Sequence, residues 1–399
     1  MVPDGWIKER LGNVASFKNG LNFTRDDRGE IVKIVGVGDF KDLSELRNTS
    51  KLDQVQISCK LRDDELLKSG DLLFVRSNGN KNLIGRCLFF PEVEEKIAYS
   101  GFTIRGRVNT KKIHPQYASF LVRSSFVKRQ FAEGGNGTNI SNLSQQVLSE
   151  VIFYLPPLGE QEKISKIIST WEEAIKNTEA LVKNSLETKH SLMLTLLTGK
   201  KRLPSFYKNW TQLKFGQVFK ERIEAGNSHL PLLSITSDGG IISRADVGRK
   251  DTSNDDKSKY LKICPGDIGY NTMRMWQGVA GLSRVEGIVS PAYTVLIPQA
   301  DIDPLYAAYL FKLPALIHIF YRHSQGMVSD TWNLKYSNFS KIKWAIPAID
   351  EQRAIASILA IADNEIAIWK DQLACLKNEK SALMQQLLTG RRRVNVEIV

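Results

Sequence analysis

Two stretches of the chain place apolar and small residues on one face in alternating steps of four and three. The first runs through Ile164, Ile168, Trp171, Ile175, Thr178, Val182, Ser185, Lys189, Leu192 and Leu196. The second runs through Ile355, Leu359, Ala362, Ile366, Trp369, Leu373, Leu376, Lys380, Leu383 and Leu387. This spacing predicts two long helices, each with a coiled-coil seam. A proline shoulder (Pro156, Pro347) leads into each, Glu160 or Glu351 sits in the first turn, and Gly199 or Gly390 marks the stop. At ~1.5 Å per residue a helix of about 38 residues is about 57 Å long. That exceeds the width of a small domain, so an amphipathic helix packed only on its own domain is the weaker alternative. Lys189 and Lys380 hold the same seam position, and parallel pairing would set the two charges against each other. Antiparallel pairing is expected instead, with each lysine stem packed on the other helix's apolar stretch and its head in water. The size matches of Trp171 with Ala362 and Thr178 with Trp369 would suit the parallel case, but charge repulsion is given more weight.

The two stretches are copies. Leu155-Pro156-Pro157-Leu158-Gly159-Glu160-Gln161 returns as Ile346-Pro347-Ala348-Ile349-Asp350-Glu351-Gln352 at an offset of 191. The offset holds to the far end, where Leu196-Leu197-Thr198-Gly199-Lys200-Lys201-Arg202 matches Leu387-Leu388-Thr389-Gly390-Arg391-Arg392-Arg393. Across 155–203, 14 of 49 aligned pairs are identical, which chance rarely gives at one fixed offset. The preceding segments correspond more loosely. Trp6, Leu11, Gly12 and Val14 match Trp210, Phe215, Gly216 and Val218, and Gly70-Asp71 matches Gly266-Asp267. Phe102-Thr103-Ile104 matches Tyr293-Thr294-Val295, Pro115-x-Tyr117-Ala118 matches Pro304-x-Tyr306-Ala307, and Asn142-Leu143 matches Asn333-Leu334. Short β-like runs such as Ile31–Val35, with Gly-rich turns and few helices, suggest sheet-dominated domains of mixed α/β (α+β) class. The order is therefore domain (1–154), helix (155–203), domain (204–345), helix (346–393) and a tail (394–399): a pseudo-two-fold internal repeat.

Charge narrows the class of partner. The 55 Lys and Arg against 43 Asp and Glu leave +12, which points to a polyanion, nucleic acid before an acidic membrane surface. No apolar run approaches the ~20 residues of a membrane helix, and the start Met1–Trp6 lacks the regions of a signal peptide. Cys59, Cys87, Cys264 and Cys375 are scattered, as expected of reduced thiols in a cytoplasm. With five histidines and no metal-ligand spacing, no metal site is expected.

Taken together, these elements resemble the specificity subunit of a type I restriction-modification enzyme, over almost the whole chain. The tryptophan-led domain start, the Gly-Asp turn, the Pro-x-x-x-Glu-Gln approach to each helix and the Leu-Leu-Thr-Gly-basic exit carry the resemblance; the second copy departs with Gly269 where Leu73 stands. The resemblance implies two target recognition domains, each reading one half of a split double-stranded DNA sequence. It implies paired helices that set the gap and dock two methyltransferase subunits, with restriction subunits joining through the complex. It also implies no catalysis and no cofactor in this chain, S-adenosylmethionine, ATP and Mg belonging to the partner subunits.

The residues support that reading in their own right, because two similar domains on a rigid spacer suit a bipartite site. Base edges are read mainly by Arg, Lys, Asn and Gln. Arg76, Asn78, Asn80, Lys81 and Asn82 follow a strand in the first domain, and Asn271, Arg274, Trp276 and Gln277 hold the matching place in the second. Late loops add Asn136, Thr138 and Asn139, and Ser329 and Thr331. Solvated turns also favour Asn and Gly, which is the competing explanation. The helices, by contrast, are expected to present the same surface twice. The basic runs 200–202 and 391–393 could contact phosphate but also sit where cations offset a helix dipole, and the structural role is slightly favoured.

Rival functions fit less well. A DNA methyltransferase needs a Gly-rich cofactor loop and an Asn-Pro-Pro-Phe type motif, and neither occurs. A metal-dependent endonuclease could use Asp71 with Glu94-x-Lys96, yet Asp267 has no such companion. A coiled-coil scaffold unrelated to DNA is the third option.

Overall fold

The computed structural model describes the chain except residues 1–3, 24–27, 42, 59–60, 135–141, 238, 249–255, 328–330 and 396–399. It divides into two compact units, Met1–Glu179 with Gln372–Val399, and Ala180–Asp371. Each unit therefore contains a segment of both long helices, Leu158–Leu196 and Ile349–Leu387.

In the first unit a four-stranded antiparallel sheet runs in the order Ala15–Asn19, Thr103–Val108, Asp71–Val75, Cys87–Phe90. A three-stranded sheet of Asp53–Ile57, Glu30–Val35 and Ile97–Tyr99 adds one parallel pairing. The second unit repeats the four-stranded sheet as Phe219–Arg222, Tyr293–Pro298, Ile268–Asn271 and Ala280–Leu282. Its smaller sheet is replaced by two separate pairs, Leu233–Thr236 with Gly240–Ser243 and Leu261–Ile263 with Gly287–Val289. The glycine at 269 follows from this change. A Cβ there would stand 2.6 Å from Ile235 Cδ1, whereas Leu73 fills the matching space in a core with Val35 and Phe40. The ladder also corrects one match. With Leu73 paired to Arg105 and Gly269 to Val295, it is Thr103 and not Phe102 that corresponds to Tyr293.

The mixed α/β class stands, with more helix than the sequence pattern suggested. Pro115 and Pro304 open the helices Pro115–Arg123 and Pro304–Leu310, at the position where the missing proline N–H is no loss. Ser125–Gly134 and Pro314–His323 follow. These helices cover one face of each four-stranded sheet, enclosing Leu72, Phe74, Tyr117 and Phe120 in one unit and Phe215, Phe219, Phe311 and Phe339 in the other.

Within each unit the long helices run antiparallel. In the first, Lys380 Nζ donates to Glu172 Oε1 at 2.6 Å; in the second, Lys189 Nζ donates to Asp363 Oδ1 at 2.5 Å. Glu172 and Asp363 are themselves 191 residues apart, so the two contacts are copies. The expected direction holds, but its reason is corrected: each lysine meets a carboxylate of the other helix and not an apolar stretch. All twenty seam residues are buried or half-buried. Gly199 (φ 69°) and Gly390 (φ 68°) take the left-handed conformation, and the N–H groups of Lys201 and Arg392 turn back to the carbonyls of Thr195 and Gln386 at 3.1 and 3.2 Å. The left-handed glycine thus turns the chain back so that it closes on carbonyls of the last helical turn.

Candidate nucleic-acid interface

The repeated Glu-Gln pair closes each unit on itself. Glu351, 2% exposed, accepts from Trp210 Nε1 at 3.2 Å and from Arg202 Nε and Nη2 at 2.6 and 2.8 Å. Glu160 does the same with Trp6 Nε1 at 3.2 Å and the Arg393 guanidinium, whose Nε lies at 3.1 Å. Each arginine also lies over its tryptophan ring, at 5.7 and 5.8 Å from the centroid. The neighbouring glutamines, both fully buried, accept from the N–H of His114 or Asp303 and donate to the carbonyl of Pro156 or Pro347. A charged pair this well hydrogen-bonded is tolerated in an interior because its partners replace water. The last residue of each basic run therefore ties helix end to helix start, while Lys200, Lys201, Arg391 and Arg392 stay exposed.

The Gly-Asp turns are equally structural. Asp71 is buried, accepts from the Lys68 N–H at 2.7 Å and receives Arg107 through Nε (2.8 Å) and Nη2 (2.6 Å). Asp267 accepts from the Cys264 N–H and Arg222 Nε, both at 2.8 Å. The arginine comes from a different strand in each unit, so the charge pairing is retained while its source has moved. Lys96 of the Glu-x-Lys sequence bonds Glu30 at 2.8 Å.

Loops gather at the end of the central strand in both units. In the first, the Arg76 N–H donates to Phe102 O at 2.8 Å, and the Leu143 N–H donates to Arg76 O at 2.8 Å. In the second, the Thr272 N–H lies 3.4 Å from Ala292 O, and the Leu334 N–H donates to Thr272 O at 2.8 Å. The loop after the strand is thus laced to the end of the late loop in the same way twice, as the sequence match of Leu143 with Leu334 required.

The candidate residues divide by what their side chains do. Asn78 and Asn80 accept from the N–H two residues on, at 2.8 and 3.1 Å, and Asn271 accepts from the Met273 N–H at 3.0 Å, so these three shape their turns. Arg76 is half-buried, its Nη1 3.4 Å from Gly101 O. Lys81, Asn82, Arg274, Gln277 and Thr331 are exposed. Trp276 donates to Met273 O at 3.0 Å and meets Trp332 edge-on at 5.2 Å, and Tyr321 meets Trp332 at 4.8 Å. Trp332 and the exposed Phe102 (63%) were not singled out in the sequence, although an aromatic beside a loop of Asn and Arg was a readable signal. Asn136, Thr138, Asn139 and Ser329 lie outside the described residues.

One expectation fails. The exposed faces of the long helices are not copies: Leu181, Leu186, Leu194, Ile361 and Ile368 are exposed apolar residues of the second unit. At the matching positions the first unit has Gln372, Lys377, Gln385, Thr170 and Asn177. What repeats is the seam and the caps, because packing constrains those and leaves the outer face open to change. No helix among the described residues is long and apolar enough to cross a membrane.

The family model for the type I restriction modification DNA specificity domain matches residues 3–188 and again 207–378. The chain belongs to this family. A Methanocaldococcus jannaschii chain assigned as the MjaX specificity subunit of a type I restriction enzyme is 24% identical over 431 residues, covering 98% of this chain and 95% of that one. Two solved structures share the fold of this family member. The HsdS subunit from Thermoanaerobacter tengcongensis has a TM-score of 0.53 at 18% identity, covering 98% of both chains. A chain from a structure of type I R-M complex assembly and conformational transition has a TM-score of 0.58 at 17% identity, covering 98% of this chain and 100% of that one.

Proposed function

We propose that each unit reads one half of a bipartite double-stranded DNA target through its laced loops, and that the paired helices set the unread gap. The observation that carries this is the duplicate lacing of two loops to one strand end, with a shared frame and different exposed side chains. A common frame with divergent tips suits two readers of different bases. Lys81, Asn82, Arg274, Gln277 and Thr331 are the base-contact candidates; Asn78, Asn80 and Asn271 hold the loops; Asn136, Thr138, Asn139 and Ser329 remain candidates from the sequence.

The chain acts in this reading as a cytoplasmic, non-catalytic subunit. Two methyltransferase subunits supply S-adenosylmethionine chemistry, and restriction subunits supply the ATP- and Mg-dependent step. Because the outer faces of the helices differ, docking of like methyltransferases falls to surfaces other than one duplicated helix face. Methylation mapping in cells carrying the complex tests the reading. It is expected to give a split motif with an unspecified gap. A single uninterrupted motif, or magnesium-dependent cleavage by this chain alone, overturns it.

A further inference from the structure

Away from the loops, the first unit contains a cavity of about 570 Å³ between the helix Ser125–Gly134 and the second long helix, within the usual range for ligand clefts. Arg123, Lys128, Arg129, Lys377, Lys380 and Arg391 all line it, together with Ser125, Ser381 and Gln385. Three of the six cations have carboxylate partners. Glu172 receives both Arg123 and Lys380, and Glu179 receives Lys377 at 2.7 Å. Among the described residues no carboxylate pairs with Lys128, Arg129 or Arg391. Lys128 is exposed, yet partial desolvation of its ammonium, then the like charges of Arg123 and Arg86, push it below the usual lysine range. A cleft carrying this surplus lowers its own repulsion by taking an anion.

The repeat separates this charge into two sets: Arg123, Lys380 and Arg391 match Lys312, Lys189 and Lys200 of the second unit, but the other three cations have no Lys or Arg at the matching positions. The positions matching Lys128, Arg129 and Lys377 in the second unit are Ile317, His318 and Leu186. Lys189 matches Lys380 and is held by Asp363 there, as Lys380 is held by Glu172. The cations beyond that shared set thus belong to the first unit alone.

We infer that this cleft binds phosphate groups of the DNA backbone, a sequence-independent contact that anchors the first unit at a place separate from its reading loops. The inference rests on the DNA-reading proposal above and adds a site to it. Side chains of this kind neutralise phosphates without sequence information, and each neutralised phosphate shows as counterion release.

The test compares K128Q/R129Q with wild type and with H318Q, each full-length chain assembled with its methyltransferase subunits and checked by native mass measurement. Affinity is measured on a target duplex and on an unrelated duplex between about 50 and 200 mM salt. The double variant is expected to bind both duplexes more weakly by the same factor. Its slope of log affinity on log salt should be shallower by about 0.9 for each phosphate no longer neutralised. H318Q is expected to match wild type. An unchanged slope and affinity overturns the inference, and so does a loss confined to the target duplex, which would mark base reading. Loss of a methyltransferase subunit would make the cleft a protein dock and overturn it too. So would ADP binding without DNA that the variant abolishes while the DNA slope stays unchanged. If the wild-type complex itself shows no salt-dependent DNA binding, the parent proposal fails, and the two failures are thereby distinct.

Discussion

At the scale of single residues, Glu351 shows how one side chain can serve the frame and not the function. Its carboxylate is almost fully buried and is satisfied by Arg202 and Trp210 together. Removing the arginine leaves a buried charge without its counter-ion, which typically costs about 3 kcal/mol or more. R202A is therefore expected to lower the stability of the second unit in denaturant by roughly that much, and R202A/E351Q to recover part of it. Unchanged stability in R202A would mean that the pair does not hold the unit together. Cys87 offers a second check. Burial pushes its thiol up to about 12. A raised value means that very little reactive thiolate forms at pH 8, so Cys87 should resist alkylation in the folded chain, while Cys375, raised too by its hydrogen bond to Glu379 but exposed, reacts faster. Comparable rates would show the first core to be open. Arg274 is the residue to change for base reading, because it is exposed while Arg76 is half-buried. R274A should cost roughly 1–3 kcal/mol on the target and relax one motif position; equal weakening on every sequence would make it a phosphate contact.

At the scale of elements, the seam and the stops were readable because packing and capping write themselves as spacing and as residue type. The four-three alternation marked every seam residue, and Gly199 and Gly390 marked both ends. The partners of those elements were less readable. Nothing local in the sequence says that Glu160 meets Arg393, since the contact joins residues 233 apart. The same holds for Lys189, whose direction was inferred from charge repulsion while its carboxylate partner at Asp363 went unseen. The loops that begin at Arg76 and Thr272 follow strands as expected, but Asn78 and Asn80 belong to their own turns. Asn is favoured in turns for the same hydrogen-bonding reason that it reads bases, so composition alone cannot separate the two roles. The C-cap gives a further prediction. Gly199 has a left-handed φ, and a Cβ there would lie 3.3 Å from the Trp210 ring. G199A should cost about 1–2 kcal/mol, read from thermal or urea unfolding of the full chain. No loss would mean that the turn relaxes.

At the scale of the whole molecule, the proposed function needs two readers that work separately and a spacer between their targets. One heptad added to both long helices keeps the seam in register, since seven residues nearly complete two turns. At ~1.5 Å per residue it lengthens each helix by about 10 Å. The unspecified gap should then widen by up to about three base pairs at ~3.4 Å each, with both half-sequences unchanged. An active variant with the original gap would mean that the helices do not measure it. The most direct measurement addresses the readers themselves: methylation mapping with residues 210–345 replaced by the matching segment of a relative with a different target. Separate reading predicts a motif whose first half is unchanged and whose second half is that of the donor. A folded, active chimaera that changes both halves, or neither, would contradict it.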